Sequence, residues 1–143
     1  NDTLEGGEGN DTLTGGAGSD TYSFASGDGA DTISNYDTDA SSIDVASFEV
    51  VSYEDLWFSR SGNNLLITTA GTDDQVSVTN WYSSSSYELD TIEADSSVLL
   101  NSQVDQLVNA MASYDIPLGA GNVVPQDTKD VLQALLTETW ETN

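Results

Sequence analysis

The sequence predicts a mainly β protein: a short parallel β-roll capped by an antiparallel β-sheet, with one or two C-terminal helices. Three observations predict it. A nine-residue phrase, Gly-Gly-x-Gly-x-Asp-x-(apolar)-x, recurs in tandem near the N-terminal end. Downstream the apolar period shortens to that of hairpins, and beyond residue 100 it lengthens to that of helices.

The first full copy is Gly6-Gly7-Glu8-Gly9-Asn10-Asp11-Thr12-Leu13-Thr14, and Gly15-Gly16-Ala17-Gly18-Ser19-Asp20-Thr21-Tyr22-Ser23 follows without a gap. Ser26-Gly27-Asp28-Gly29-Ala30-Asp31-Thr32-Ile33-Ser34 is a worn third copy, and Asn1-Asp2-Thr3-Leu4-Glu5 reads as the tail of another. The glycines permit a tight turn with positive φ and leave the backbone carbonyls unobstructed. The lone Asp adds a carboxylate, and the apolar residue two places later starts a short inward-facing strand. Carbonyls and carboxylates are hard oxygen donors, of which Ca2+ takes six to eight. The expected cofactor is therefore calcium, in several ions. One nonapeptide is half a coil, so each turn stacks on the turn two repeats away. Asp2 is expected to pair with the turn ending at Asp20, and Asp11 with the turn ending at Asp31. A glycine-rich linker, or acidic turns without metal, is the plainer reading, and two perfect tandem copies argue against it.

Charge agrees. Twenty-five acidic residues face two basic ones, Arg60 and Lys129, for a formal charge of −23. Ten of the acids and eight of the twelve glycines lie within residues 1–44. Stacked without a cation, each close carboxylate pair costs about 1 kcal/mol or more, so the roll should be unfolded when calcium is absent. Such a balance repels nucleic acid and acidic membranes. The downstream acids are read as a solvated face. With no cysteine and no histidine, the chain lacks disulfides, thiolate sites, the usual zinc ligand and the usual general base. No apolar run approaches the length of a membrane span. Residue 1 falls inside a repeat, so the chain reads as a piece of a longer protein, expected as a monomer attached to upstream domains.

The roll is placed at residues 1–48, ending in Ile43-Asp44-Val45-Ala46-Ser47-Phe48 as a last coil with a degenerate turn. Asp37, Asp39 and Asp44 invite an EF-hand reading. It fails, because the sixth loop position is Ser42 rather than Gly and the twelfth is Phe48 rather than Glu; Asp37 and Asp39 are read as turn residues. Residues 49–100 are placed as an antiparallel capping flank. Leu56 to Arg60 and Leu65 to Thr69 flank a turn at Ser61-Gly62-Asn63-Asn64. A second turn at Ala70 to Asp74 leads to Gln75-Val76-Ser77-Val78-Thr79, which alternates with Val76 and Val78 inward. A serine-rich loop precedes the final strands, Tyr87 to Glu93 and Val98 to Leu100, although Ile92 is out of phase with Tyr87 and Leu89. Trp57, Phe58, Trp81 and Tyr82 are read as core in preference to a sugar-stacking platform. Such a sheet would cover the open end of a solenoid.

Residues 101–143 form the helical segment. Ser102-Gln103-Val104-Asp105 suggests a capping box before a stripe of Val104, Leu107, Val108 and Met111. After a connector from Ile116 to Pro125, Asp127 can cap a second helix with Val131, Leu132, Leu135, Leu136 and Trp140 on one face. Whether these faces pack on the sheet or stay exposed for recognition is left open.

Residues 1–34 resemble the calcium-binding nonapeptides of RTX (haemolysin-type) exoproteins. Glu54 to Leu65 and Gly71 to Tyr82 are similar to the flank that follows such repeats, and Ser102 to Met111 to its helical end. The resemblance implies carboxylate ligands at Asp2, Asp11, Asp20 and Asp31, with carbonyls of the glycine turns, Gly7, Gly9, Gly16, Gly18, Gly27 and Gly29, completing the sites. The third turn departs from the pattern: Ser26 replaces the first Gly, and Asp31 lies eleven residues after Asp20, with Asp28 available as an extra ligand. The resemblance further implies export through a type I (ABC) secretion system, guided by a C-terminal signal in residues 101–143. Folding would then occur only outside the cell, where the protein is free or held at the surface. Three classes remain: a secretion and folding module, a calcium-dependent ligand- or carbohydrate-binding module of an adhesin, and the tail of a secreted hydrolase. Nothing in these residues suggests catalysis within the chain, since no base accompanies its serines.

Overall fold

The computed structural model describes residues 3–5, 7–16, 18–24, 29–36, 42–48, 56–69, 74–83, 87–94, 97–112 and 126–142, with backbone alone at 129, 133, 137–139, 141 and 142. Short strands alternate between two sheets, as half-coil repeats require. β1 (Thr3–Glu5), β3 (Thr21–Phe24) and β5 (Val45–Phe48) lie side by side in parallel in one sheet. β2 (Thr12–Thr14) and β4 (Ala30–Ser34) pair in parallel in the other. The apolar position of each copy turns inward: Leu13, Tyr22, Ile33, Ala46 and their neighbours Phe24 and Phe48 are buried between the sheets. The Phe24 and Phe48 rings stack at 5.3 Å. Because each coil supplies only one or two such side chains per sheet, the roll has a thin core and depends on its ends.

The second sheet is extended by a three-stranded meander. β6 (Leu56–Ser61) and β7 (Asn64–Thr69) form a hairpin, and β7 pairs antiparallel with β8 (Gln75–Val78). Its two-residue turn places Gly62 first with φ of 61°, the arrangement of a II′ turn, whose twist suits a hairpin. Gly62→Ala is therefore expected to lower stability by about 1–2 kcal/mol, the cost of a left-handed residue with a Cβ, as read from a denaturant midpoint in calcium. The first sheet is extended by β9 (Thr91–Ala94) and β10 (Ser97–Leu100), which pair antiparallel.

The antiparallel expectation for residues 49–100 holds for β6, β7 and β10, but two strands depart from it. β8 joins β4 in parallel, with Val76 opposite Asp31, and β9 joins β5 in parallel, with Ile92 opposite Ala46. The flank is thus grown onto the roll's own two sheets rather than laid across them. The strand expected from Tyr87 to Glu93 begins only at Thr91. That resolves the phase conflict, since Ile92 points inward from the strand while Leu89 is buried from the turn before it.

Two helices close the end. α1 (Asn101–Met111) buries Val104, Leu107, Val108 and Met111, and packs against edge strand β6. The Phe58 N–H reaches Met111 Sδ at 3.2 Å. This covers a sheet edge that would otherwise invite pairing with another chain. The capping residue is not Ser102: the helix starts one residue earlier, after Leu100, whose N–H donates to Gln103 Oε1 at 3.4 Å. α2 (Gln126–Thr139) starts one residue before Asp127, which lies in its first turn. It buries Leu132 and Leu136, whereas Val131 is 66% exposed. Trp140 does not continue that helix. It begins β11 (Trp140–Thr142), which pairs antiparallel with β10 at the edge of the first sheet. The ring is buried beside Phe58, at 6.2 Å. Trp57, Phe58 and Trp81 are likewise buried, in agreement with a core role, and Tyr82 lies half-buried beneath the Arg60 guanidinium at 4.2 Å. Among the described residues, no helix is long and apolar enough to cross a membrane.

Candidate metal centre

The two perfect repeats build the same turn. Gly7 and Gly9 have φ of 73° and 105°; Gly16 and Gly18 have 74° and 99°. These are the second and fourth positions of the phrase, and only glycine takes both values without strain. Gly29, the fourth position of the worn copy, keeps the geometry with φ of 85°. Gly29 also lies directly against the turn two repeats earlier: a Cβ there would stand 2.8 Å from the Gly9 carbonyl oxygen. The stacking expected for half-coils is thereby seen in the backbone.

Carboxylates cross from coil to coil. The Asp11 N–H donates to Asp31 Oδ1 at 2.9 Å, and the Asp20 N–H donates to Asp44 Oδ1 at 2.9 Å. The Asp44 N–H in turn donates to Asp90 Oδ2 at 2.8 Å. On the other side, the Gly29 N–H donates to Asp74 Oδ1 at 2.9 Å. Two columns result, one beside each sheet: Asp20, Asp44 and Asp90 in the first, Asp11 and Asp31 in the second, with Asp74 near the end of the latter. Asp31, Asp44, Asp74 and Asp90 each spend one oxygen on a neighbour's backbone. Asp20, Asp31 and Asp44 are buried at 0%, 2% and 3% exposure. The second oxygen of Asp11, Oδ2, is buried and accepts no hydrogen bond. A buried anionic oxygen in that condition is costly unless a cation meets it.

The fifth position of the phrase stitches the same turns. Asn10 Oδ1 accepts from the Ala30 N–H at 3.1 Å, and Ser19 Oγ accepts from the Ile43 N–H at 2.8 Å. The first position is a space. A Cβ on Gly15 would lie 2.5 Å from Asp20 Oδ2 and 2.6 Å from Tyr22 Oη. Among the described residues no three acidic side chains converge on one point, so an ion here would take one or two carboxylates and complete its shell with carbonyls. Hard oxygens of both kinds, in tight glycine turns, fit Ca2+ and not a softer metal.

Of the expected ligands, Gly7, Gly9, Asp11, Gly16, Gly18, Asp20, Gly29 and Asp31 occupy these turns and columns. Asp2, Gly27 and Asp28 lie outside the described residues, as do Asp37 and Asp39. The sequence reading missed Gly15, Asn10, Ser19, Asp74 and Asp90. For Asp90 a signal existed: Asp90-Thr91-Ile92 repeats the Asp31-Thr32-Ile33 of the worn copy without its glycines.

Beside the first column, burial and then the charges of Asp105 and Asp90 hold the Glu88 carboxyl above the ordinary carboxylate range. The folded state therefore binds that proton more tightly than the unfolded one, and this contribution to stability is lost as pH rises through the raised value. Glu88→Gln should raise the melting temperature modestly at pH 7, with the gain shrinking as pH is lowered toward the ordinary carboxylate range.

Glycine turns, paired carboxylate columns and a two-sheet core define a calcium-binding parallel β-roll. The RTX calcium-binding nonapeptide repeat family (4 copies) matches residues 1–33, and the haemolysin-type calcium binding protein related domain matches residues 64–103. Residues 1–33 are thus RTX nonapeptide repeats, and repeats of this kind bind Ca2+. The second match spans β7 to the start of α1, the region whose β8 and β9 continue the two sheets of the roll.

Proposed function

We propose that this calcium-binding module is unfolded in the cytosol, passes a type I secretion channel as an open chain, and folds outside the cell when calcium arrives. The observation that supports this most is the stacking of buried carboxylates from coil to coil, Asp31 against Asp11 and Asp44 against Asp20, in a chain with two basic residues. Arg60 is engaged by the Gly62 carbonyl at 2.7 Å and by the Tyr82 ring, far along the chain from the repeats. When only the folded state holds the ion, binding free energy becomes folding free energy. At low calcium the acidic, glycine-rich chain stays threadable; at millimolar calcium its sites fill.

Calcium is held in this reading by Asp2, Asp11, Asp20, Asp28 and Asp31, with carbonyls of the glycine turns. The flank serves as the cap: β6 to β10 extend the sheets, and α1 and β11 close their edges. In this reading the chain binds calcium and folds, and carries no catalytic role of its own. The adhesin reading is less favoured because Trp57, Phe58 and Trp81, the rings a sugar platform would use, are buried.

The test is export. A reporter fused ahead of the full chain should reach the medium only from cells carrying a type I exporter, and should become protease-resistant there only with calcium. Export that does not depend on the exporter, or a chain already protease-resistant inside the cell, would contradict the proposal.

A further inference from the structure

Asn35 stands where a repeat would have its first glycine. It follows β4 as Gly15 follows β2, and the strands are in register up to that point, with Thr14 opposite Ser34. The turn that starts at Gly15 ends at Asp20; the turn that starts at Asn35 ends at Asp44, and the strands after them, β3 and β5, are again paired. In the first turn no side chain can enter between position one and the carboxylate, since even a Cβ on Gly15 would collide with Asp20. In the second, a side chain stands at that position. Asn35 is fully buried, and its amide Nδ2 donates to Asp44 Oδ2 at 3.1 Å and to the Glu88 carbonyl at 3.4 Å. Its Oδ1 accepts from the Tyr22 hydroxyl at 2.7 Å, which itself accepts from the Gly15 N–H at 2.9 Å. The amide orientation follows from chemistry: a carboxylate and a carbonyl can only accept, so the NH2 group faces them.

We propose that the Asn35 amide takes the part of a cation at Asp44, so that the coil ending in β5 holds together with β9 in the absence of calcium. The inference rests on the reading that calcium folds the repeats, and assigns the point at which that requirement stops. A neutral amide supplies N–H donors to the carboxylate without needing an ion, and its second bond, to Glu88, ties the coil to the flank. Tyr22 has a different part. Its hydroxyl joins the Gly15 turn to Asn35, and so couples the first calcium-dependent coil to the calcium-independent one. The flank end is then a marginally held template, loose enough to be threaded through a channel, on which the calcium coils are laid.

Hydrogen–deuterium exchange on the full chain, in EGTA and in calcium, tests this. In EGTA, the amides of Val45–Phe48 and Thr91–Ala94 should be protected about tenfold or more over those of Thr12–Thr14 and Thr21–Phe24. Asn35→Ala should abolish that difference in EGTA. Asn35→Asp, which keeps the shape but sets two carboxylates together, should abolish it in EGTA and restore protection in calcium, with an additional ion bound per chain. Tyr22→Phe should leave the EGTA pattern unchanged and weaken the calcium response of β2 and β3. If β5 and β9 exchange as fast as β2 in EGTA, or if Asn35→Asp keeps the parent's protection there, the proposal is wrong while the calcium-folding reading stands. Protection of β2 and β3 in EGTA would overturn that reading, and this proposal with it.

Discussion

Gly15→Ala is expected to cripple the calcium response although its backbone conformation allows alanine. Gly15 has no positive φ, so the cost is entirely one of space. The added Cβ would stand 2.5 Å from Asp20 Oδ2, 2.6 Å from Tyr22 Oη and 2.8 Å from Asp20 Cγ. Neither side chain can step aside: both are fully buried, and the Tyr22 hydroxyl is held by Asn35 and by the Gly15 N–H itself. Overpacking of this kind costs about 1–3 kcal/mol. Because it falls on a carboxylate proposed to hold calcium, the cost should be carried by calcium binding, and each 1.4 kcal/mol moves an ion's affinity by about tenfold. A calcium titration followed by circular dichroism should show the midpoint displaced upward by about that factor or more. Gly16→Asn is the counterpart. Gly16 has φ of 74° and nothing within 4 Å of its would-be Cβ, so asparagine, which tolerates the left-handed region, should leave the titration nearly unchanged.

Asp20→Ala should have a comparable or larger effect. Asp20 is fully buried in the first column, its N–H is bonded to Asp44, and its carbonyl accepts from the Val45 N–H at 2.9 Å. The substitution keeps those backbone bonds and removes the anionic ligand. Calcium affinity follows the number of charged ligands, so losing one of only one or two per ion should raise the midpoint about tenfold or more. Asp11→Ala should act in the same way on the second column. Glu8→Ala is the control that gives the comparison its meaning. Glu8 lies in the same turn as Asp11 and carries the same charge, but it is exposed, at the third position of the phrase. If general charge relief governed folding, Glu8→Ala would help as much as Asp20→Ala hurts. If position governs, Glu8→Ala leaves the midpoint where it was.

What could be read in the sequence, and what could not, follows from where each constraint lies. The turn geometry and the pairing of Asp11 with Asp31 were legible because a strict period and invariant glycines state local backbone needs. The hairpin at Gly62 and the α1 stripe were legible for the same reason, since II′ turns and helical faces are local patterns. β8 and β9 were not, because joining in parallel to strands more than forty residues earlier is a tertiary event that leaves no turn signature. Only Asp90-Thr91-Ile92 betrays it. Trp140 misled because a helical apolar period continues past the point where the chain pairs with β10 instead, and sheet-edge pairing overrides propensity there; Val131 lies within α2 but on its exposed side. Nothing local in the sequence marks Asn35. Its part becomes visible only when Asp44, Tyr22 and Glu88 are brought to it from three other segments.

Calcium, and not the chain's own packing, should hold the calcium-binding coils together. Far-UV circular dichroism of the full chain, from EGTA into a calcium titration at neutral pH, tests it most directly. The spectrum in EGTA should lack the β-signal of the repeats, with a cooperative gain on adding calcium and no such gain with magnesium at the same concentration. A spectrum that is the same in EGTA and in calcium would contradict it.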